Sequence, residues 1–221
     1  MNTTTSPKPT NPATTQNDHR PAVPQYKLRP LRTDAERAAA AALVDDRSRH
    51  LAGRGITVPH RHITAYQDAR AQSGGLYEDA ADGEEILLGC LMLHRQPAPH
   101  PGTENEDKPG LEISLAYTAP GLGERYGWLI TLWASNLAAR TGATRVHAEA
   151  PSPPNRDEAD LLLDYLQSLG WLVTSTGISR DGERVAHLHL NAQERNGLSS
   201  LITCAVPFDT ARPAHGDRGQ K

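Results

Sequence analysis

Hydrophobic and polar positions alternate along this chain with two interleaved periods. Tyr26-Lys27-Leu28-Arg29-Pro30-Leu31 has the two-residue period of a strand with one buried face. Thr33-Asp34-Ala35-Glu36 then reads as a capping box, with Thr33 as N-cap and Glu36 at N3. The alanine-rich helix it opens is predicted to run to about Ala52, where Gly53 and Gly55 end it. A second helix is expected between Pro59 and Ala71. Gly75–Asp79 and Glu85–His94 read as strands joined at Asp82-Gly83, a hairpin turn. After a Pro- and Gly-rich loop over 95–110, Leu111–Thr118 alternates as a strand and leads into a strongly apolar helix at about 123–141. Thr144–Ala150 is again a strand, Ser152-Pro153-Pro154-Asn155 a loop, and Asp157–Leu169 a helix stopped by Gly170. Trp171–Ser175 and Arg184–Leu190 are the last strands, flanking an Asp181-Gly182 turn.

The element order is therefore β-α-α-β-β-β-α-β-α-β-β. A helix linking Leu111–Thr118 to Thr144–Ala150 makes those two strands parallel by a crossover, while the other neighbours form antiparallel hairpins. This predicts an α/β fold with a mixed, mostly antiparallel central sheet of 6–7 strands and about four helices. Residues 1–24 are rich in Thr, Pro and Asn without periodicity and read as a disordered N-terminal segment. Residues 25–191 form the folded domain, and 192–221 a largely disordered C-terminal tail. Within that tail Leu198–Val206 is apolar enough to dock, at a site the pattern does not name.

Composition narrows the function. The 221 residues carry a formal net charge of −3, so no global basic field draws the chain to nucleic acid or a membrane. The two cysteines, Cys90 and Cys204, suggest no disulfide framework and fit a reducing compartment. No apolar run approaches a membrane span, and the first residues lack the apolar stretch of a secretory signal, so a cytoplasmic location is expected.

The most informative stretch is Leu111–Ala139. The strand passes through Ala119-Pro120-Gly121-Leu122-Gly123-Glu124-Arg125-Tyr126-Gly127 into Trp128-Leu129-Ile130-Thr131-Leu132-Trp133. Strand, glycine-bearing turn and helix in this order set unpaired backbone N–H groups at the positive end of a helix dipole, a place to hold phosphates. Such turns also occur in α/β proteins without any phosphate ligand.

This order, with the Pro-to-Gly turn at its centre, resembles the GNAT N-acetyltransferase superfamily over about Tyr26–Asn191. In that family a hydrophobic-x-Pro element is followed by Arg/Gln-x-x-Gly-x-Gly/Ala opening a helix, whose amides hold the pyrophosphate of acetyl-CoA. Thr118-Ala119-Pro120 matches the first part and Leu122–Gly127 occupies the second. The motif is degenerate: Leu122 replaces Arg or Gln, and Arg125 replaces the middle Gly, while Gly123 and Gly127 stay in register. A side chain at 125 crowds the phosphate unless its guanidinium contacts it. Asn155 before a helix and Leu169-Gly170-Trp171 extend the likeness.

What the resemblance implies is an N-acetyltransferase moving an acetyl group from acetyl-CoA to a primary amine of a small molecule or peptide by direct attack. The alternative is a non-catalytic acyl-CoA-binding module of the same fold. The cofactor-binding set would be Tyr117, Thr118, Gly123, Glu124, Arg125, Tyr126, Gly127, Trp128 and Asn155. Glu112 is the candidate general base, on one strand face with Ser114 and Ala116 by alternation; it also reads as a solvated strand residue. Tyr165 is the candidate general acid, one place from the family's position, which Leu166 holds; the shift rotates it by about 100°, and a core role competes. Tyr126 is a further candidate acid. Trp133 with Leu129, Leu132 and Leu137 reads as core. His187 with His189, and His60 with His62, have no partners at ligand spacing, so no metal is expected. Family members often pair through edge strands, which makes a homodimer one assembly to test.

Overall fold

The computed structural model describes residues 26–54, 56–80, 82–96, 110–122, 125–152, 157–179 and 182–204. The elements are β1 (Tyr26–Pro30), α1 (Asp34–Ala52), α2 (His60–Ala65), β2 (Ser73–Asp79), β3 (Glu85–Gln96), β4 (Gly110–Thr118), α3 (Arg125–Arg140), β5 (Arg145–Pro151), α4 (Asp157–Ser168), β6 (Leu172–Ile178), β7 (Arg184–Asn191) and β8 (Ile202–Cys204). No helix among them is long and apolar enough to cross a membrane.

The capping box forms as the spacing predicts: Glu36 N–H donates to Thr33 Oγ1 at 3.1 Å, and Thr33 N–H donates to Glu36 Oε2 at 2.9 Å. α2 is shorter than expected. It stops at Ala65, and Tyr66 turns into the core as its C-cap. Burying that ring offsets the helical turns that a continuation to Ala71 would have added.

One sheet contains all eight strands, in the order β6-β7-β5-β4-β3-β2-β1-β8. β4 and β5 are parallel across the α3 crossover, while β1/β2, β2/β3, β3/β4, β5/β7 and β6/β7 are antiparallel. The strand count exceeds the expected 6–7 by β8. Ile202–Cys204 pairs parallel with β1, in register Tyr26↔Ile202, and Leu198 and Ile202 are buried. Within the apolar segment at 198–206, the described residues up to Cys204 seat on the edge of β1, while 205 and 206 lie outside the described residues. A strand of three residues is too short to show a period of its own.

The sheet has two unlike faces. On one, Leu91, Leu93, Ile113, Val146 and Leu188 pack against Leu129, Trp133 and Leu137 of α3. On the other, α1 covers β1–β4 through Ala40, Ala41 and Val44, with Tyr66, Tyr77, Cys90 and Met92 beneath. β3 serves both: Cys90 and Met92 point to α1, Leu91 and Leu93 to α3. Over β5 and β7 the α1-side face is polar.

Candidate active site

β4 carries the site because its two halves have different neighbours. Leu111, Glu112 and Ile113 pair with Val146, His147 and Ala148 of β5, and the pairing ends there. From Ser114 to Thr118 β4 keeps β3 on one side and has no β5 partner on the other. Two parallel strands that hold together and then part leave a V whose inner edge exposes backbone N–H and C=O groups.

A bulge sits just past the fork. Cys90 pairs with Tyr117 and Met92 with Ser114, so β4 spends one more residue than β3 between these points. Leu115 lies in the bulge with φ +50° and is the one non-glycine residue with positive φ among those described. The extra residue reverses the faces: Leu111 and Ile113 join the α3-side core, whereas Leu115 and Tyr117 join the α1-side core. The expected alternation Glu112, Ser114, Ala116 is therefore broken. Glu112 and Ser114 share the α1-side face, and Ala116 is turned from it.

On that face a cleft of about 110 Å³ opens over β4, β5, β6 and β7, lined by Glu112, His147, Glu149, Thr174 and His187 among others. His187 Nδ1 lies 3.3 Å from Glu149 Oε1, the residue directly across the β5/β7 ladder. The ring reaches from β7 over Gly177 of β6, where a Cβ would stand 2.9 Å from Nε2, so a larger residue there would displace the imidazole. Glu112 and Glu149 bring two carboxylates to the cleft wall, a polar lining of the kind that attracts a cation. Just beyond it His94 Nε2 and Ser114 Oγ are 3.1 Å apart.

α2 bridges the cleft mouth. Arg61 pairs with Glu183 before β7 at 3.3 Å, and His62 Nδ1 shares a 2.6 Å hydrogen bond with the Tyr117 hydroxyl. Burial, then the neighbouring Cys90, raises Tyr117 well above the usual tyrosine range, so it keeps its proton. Burial pushes the Cys90 thiol up to about 12 despite the Tyr66 hydrogen bond, which leaves it unsuited as a nucleophile.

At the other end of the V, α3 begins. The Arg125 guanidinium lies 5.4 Å from the centroid of the Tyr26 ring, and Tyr126 meets the same ring edge-on at 6.0 Å. Trp128 is 42% exposed, whereas Trp133 is buried, and Trp171 Nε1 donates to Thr131 Oγ1 at 3.1 Å to fix the helix on the sheet. Tyr165 of α4 is half-buried with its hydroxyl against Gly127: a Cβ there would fall 2.5 Å from that oxygen. Gly127 thus gives way to a tyrosine. Gly123, Glu124 and Asn155 lie outside the described residues.

The structure therefore brings Arg125, Tyr126, Gly127, Trp128 and Tyr165 to the start of α3 and sets Glu112 on the opposite side of the fork. The Tyr117 side chain joins the Glu112 side, and Thr118 pairs with Gly89 at the end of β4. Sequence reasoning missed His147, Glu149 and His187 as one cluster with Glu112, and Tyr66 and His62 as partners of β4. A signal existed for the cluster: alternate polar positions on two interior strands call for a cover or a ligand. Nothing in the sequence marks Tyr66.

No family model and no curated protein sequence matches the chain. Solved structures do. An aminoglycoside N(6′)-acetyltransferase from Legionella pneumophila matches at 6% identity with a TM-score of 0.54, over 76% of this chain and 93% of that one. FeeM, an N-acyl amino acid synthase from uncultured soil microbes, matches at 15% identity and 0.50, over 77% and 92%. A protein described as an acetyltransferase of the GNAT family from Desulfovibrio desulfuricans matches at 12% and 0.50, over 76% and 99%. At these identities the likeness is one of architecture, and with its forked parallel pair and α3 crossover this chain has the fold of the GNAT N-acetyltransferases.

Proposed function

We propose that this protein is an acyl-CoA-dependent N-acyltransferase that moves an acetyl group from acetyl-CoA to a primary amine of a small molecule or peptide. The observation that carries the reading is the fork: β4 and β5 pair over Leu111–Ile113 and then part, directly before α3. The residues fit the co-substrate. β4 beyond Ile113 offers an edge with no β5 partner, and the first turn of α3 begins with Arg125, whose cation suits a diphosphate. The amides of Gly123–Gly127 and the Arg125 side chain would hold the diphosphate, with Tyr126, Trp128 and Asn155 beside it. The amides of β4 near Tyr117 and Thr118 would hold the acyl arm.

Acetyl-CoA brings a thioester already activated for acyl transfer. Glu112, with Glu149 across the fork, attracts the acceptor ammonium, and Glu112 takes its proton through water. The free amine forms the new C–N bond as the C–S bond breaks, and β4 amides receive the negative charge that develops on the carbonyl oxygen. Tyr165, beside Gly127, supplies a proton to the departing thiolate.

Calorimetric titration with acetyl-CoA, followed by thiol release over a panel of primary amines, tests this. Saturable binding with one thiol released per acylated amine is the expected result. No binding would overturn it. Binding without product across the panel would favour a non-catalytic acyl-CoA-binding module.

A further inference from the structure

A leucine at positive φ in the middle of a strand is sterically disfavoured, so something must hold Leu115 there. Its carbonyl accepts a hydrogen bond from the Tyr66 hydroxyl. Tyr66 is fully buried at the C-terminus of α2, packed with Ala40, Val44, Cys90 and Met92. The bulge that this bond pins lies between Ser114 and Tyr117, on the stretch of β4 just past its last β5 pair at Ile113. Four facts therefore meet at one place: a strained backbone, a register slip, the end of a ladder, and a buried hydroxyl aimed at the strained carbonyl.

We infer that Tyr66 is a positioning residue for acyl transfer: by holding the Leu115 carbonyl it keeps the bulge amides aimed at the acyl carbonyl oxygen. The role rests on the acyltransferase reading above. Without the hydroxyl, the buried carbonyl loses its partner and β4 is drawn toward a regular ladder with β3. That would swing the amides of 115–117 off target while leaving the diphosphate site at α3 untouched.

Tyr66→Phe keeps the ring and removes only the donor. Turnover should fall about 10- to 100-fold, the effect of a small misplacement of a transition-state contact. The affinity for CoA, which has no acyl group, should stay within about twofold, because the diphosphate contacts at the start of α3 are unchanged. Amide hydrogen exchange at 115–117 should accelerate relative to β3. Leu115→Gly, made in the Tyr66→Phe background, should recover most of the lost turnover, since glycine adopts positive φ without a steric penalty. Unchanged turnover in Tyr66→Phe would overturn the inference, as would a loss that Leu115→Gly leaves in place. Should the wild-type protein bind no acyl-CoA at all, the acyltransferase reading falls on its own, and unchanged exchange at 115–117 in Tyr66→Phe would sink the positioning role separately.

Discussion

The two halves of β4 are built from similar residues and do opposite work. Leu111–Ile113 is laddered on both sides and faces Trp133 and Leu129, a regular strand in a packed core. Leu115–Thr118 is laddered on one side, bulged, and tied by hydroxyls to α2. Hydrophobic burial holds the first half. In the second half, hydrogen bonds hold a backbone that burial alone would let straighten. A strand can thus be core and site at once, provided the change of role falls where a neighbour leaves.

Substitutions should separate the two halves cleanly. The largest effect belongs to the packed half. Ile113→Ala, at a site 4% exposed, should cost about 2–5 kcal/mol in denaturant unfolding, by lost transfer energy and a residual cavity. Glu112→Gln, on the adjacent residue but the polar face, should barely move stability, within about 0.5 kcal/mol. It should lower amine-dependent turnover by about 100-fold as a lost proton acceptor. Equal turnover in Glu112→Gln and wild type would move the proton acceptor to Glu149 and His187.

The start of α3 tests whether the far arm of the V depends on a fitted tyrosine. Gly→Ala inside a helix ordinarily gains about 1 kcal/mol. At Gly127 the added methyl meets the Tyr165 ring, so Gly127→Ala should gain nothing and weaken acetyl-CoA binding. In a cycle with Tyr165→Ala the two should couple by about 1 kcal/mol; additive effects would show that the contact is idle.

The smallest effect lies away from the fork and serves as a control. Burial works against the Glu36 charge, but the N–H groups of Thr33 and Arg32 and the Arg29 guanidinium outweigh it and hold Glu36 at about 2, below its ordinary 4.5. Its contribution is thus complete above about pH 4.5 and lost as pH falls toward 2. Thermal unfolding of Glu36→Gln should lack that part of the acid slope, and at neutral pH the variant should be about 1 kcal/mol less stable, with turnover unchanged.

Much of the scaffold was legible. The capping box, the end of α1 at Ala52, both hairpins and the β4-α3-β5 crossover follow from local chemistry, because caps, turn residues and periods of 2 or 3.6 act over a few neighbours. The cluster around the fork was only half legible. Glu112 is marked by its own strand, but its companions Glu149 and His187 lie on strands that meet it through the sheet order alone. Tyr117 was named as a cofactor-binding residue through the family resemblance, and the bulge turns its side chain to the Glu112 face.

The sequence by itself determined seven of the strands, the three long helices and the parallel relation of two strands. Each of these depends on residues close in the chain. Only the tertiary structure decided where β8 seats, that β5 leaves β4 after Ile113, and that the hydroxyl of Tyr66 holds Leu115 in a bulge. Those features join residues as far apart as 26 and 202, and their stability comes from pairing and burial that no local window contains.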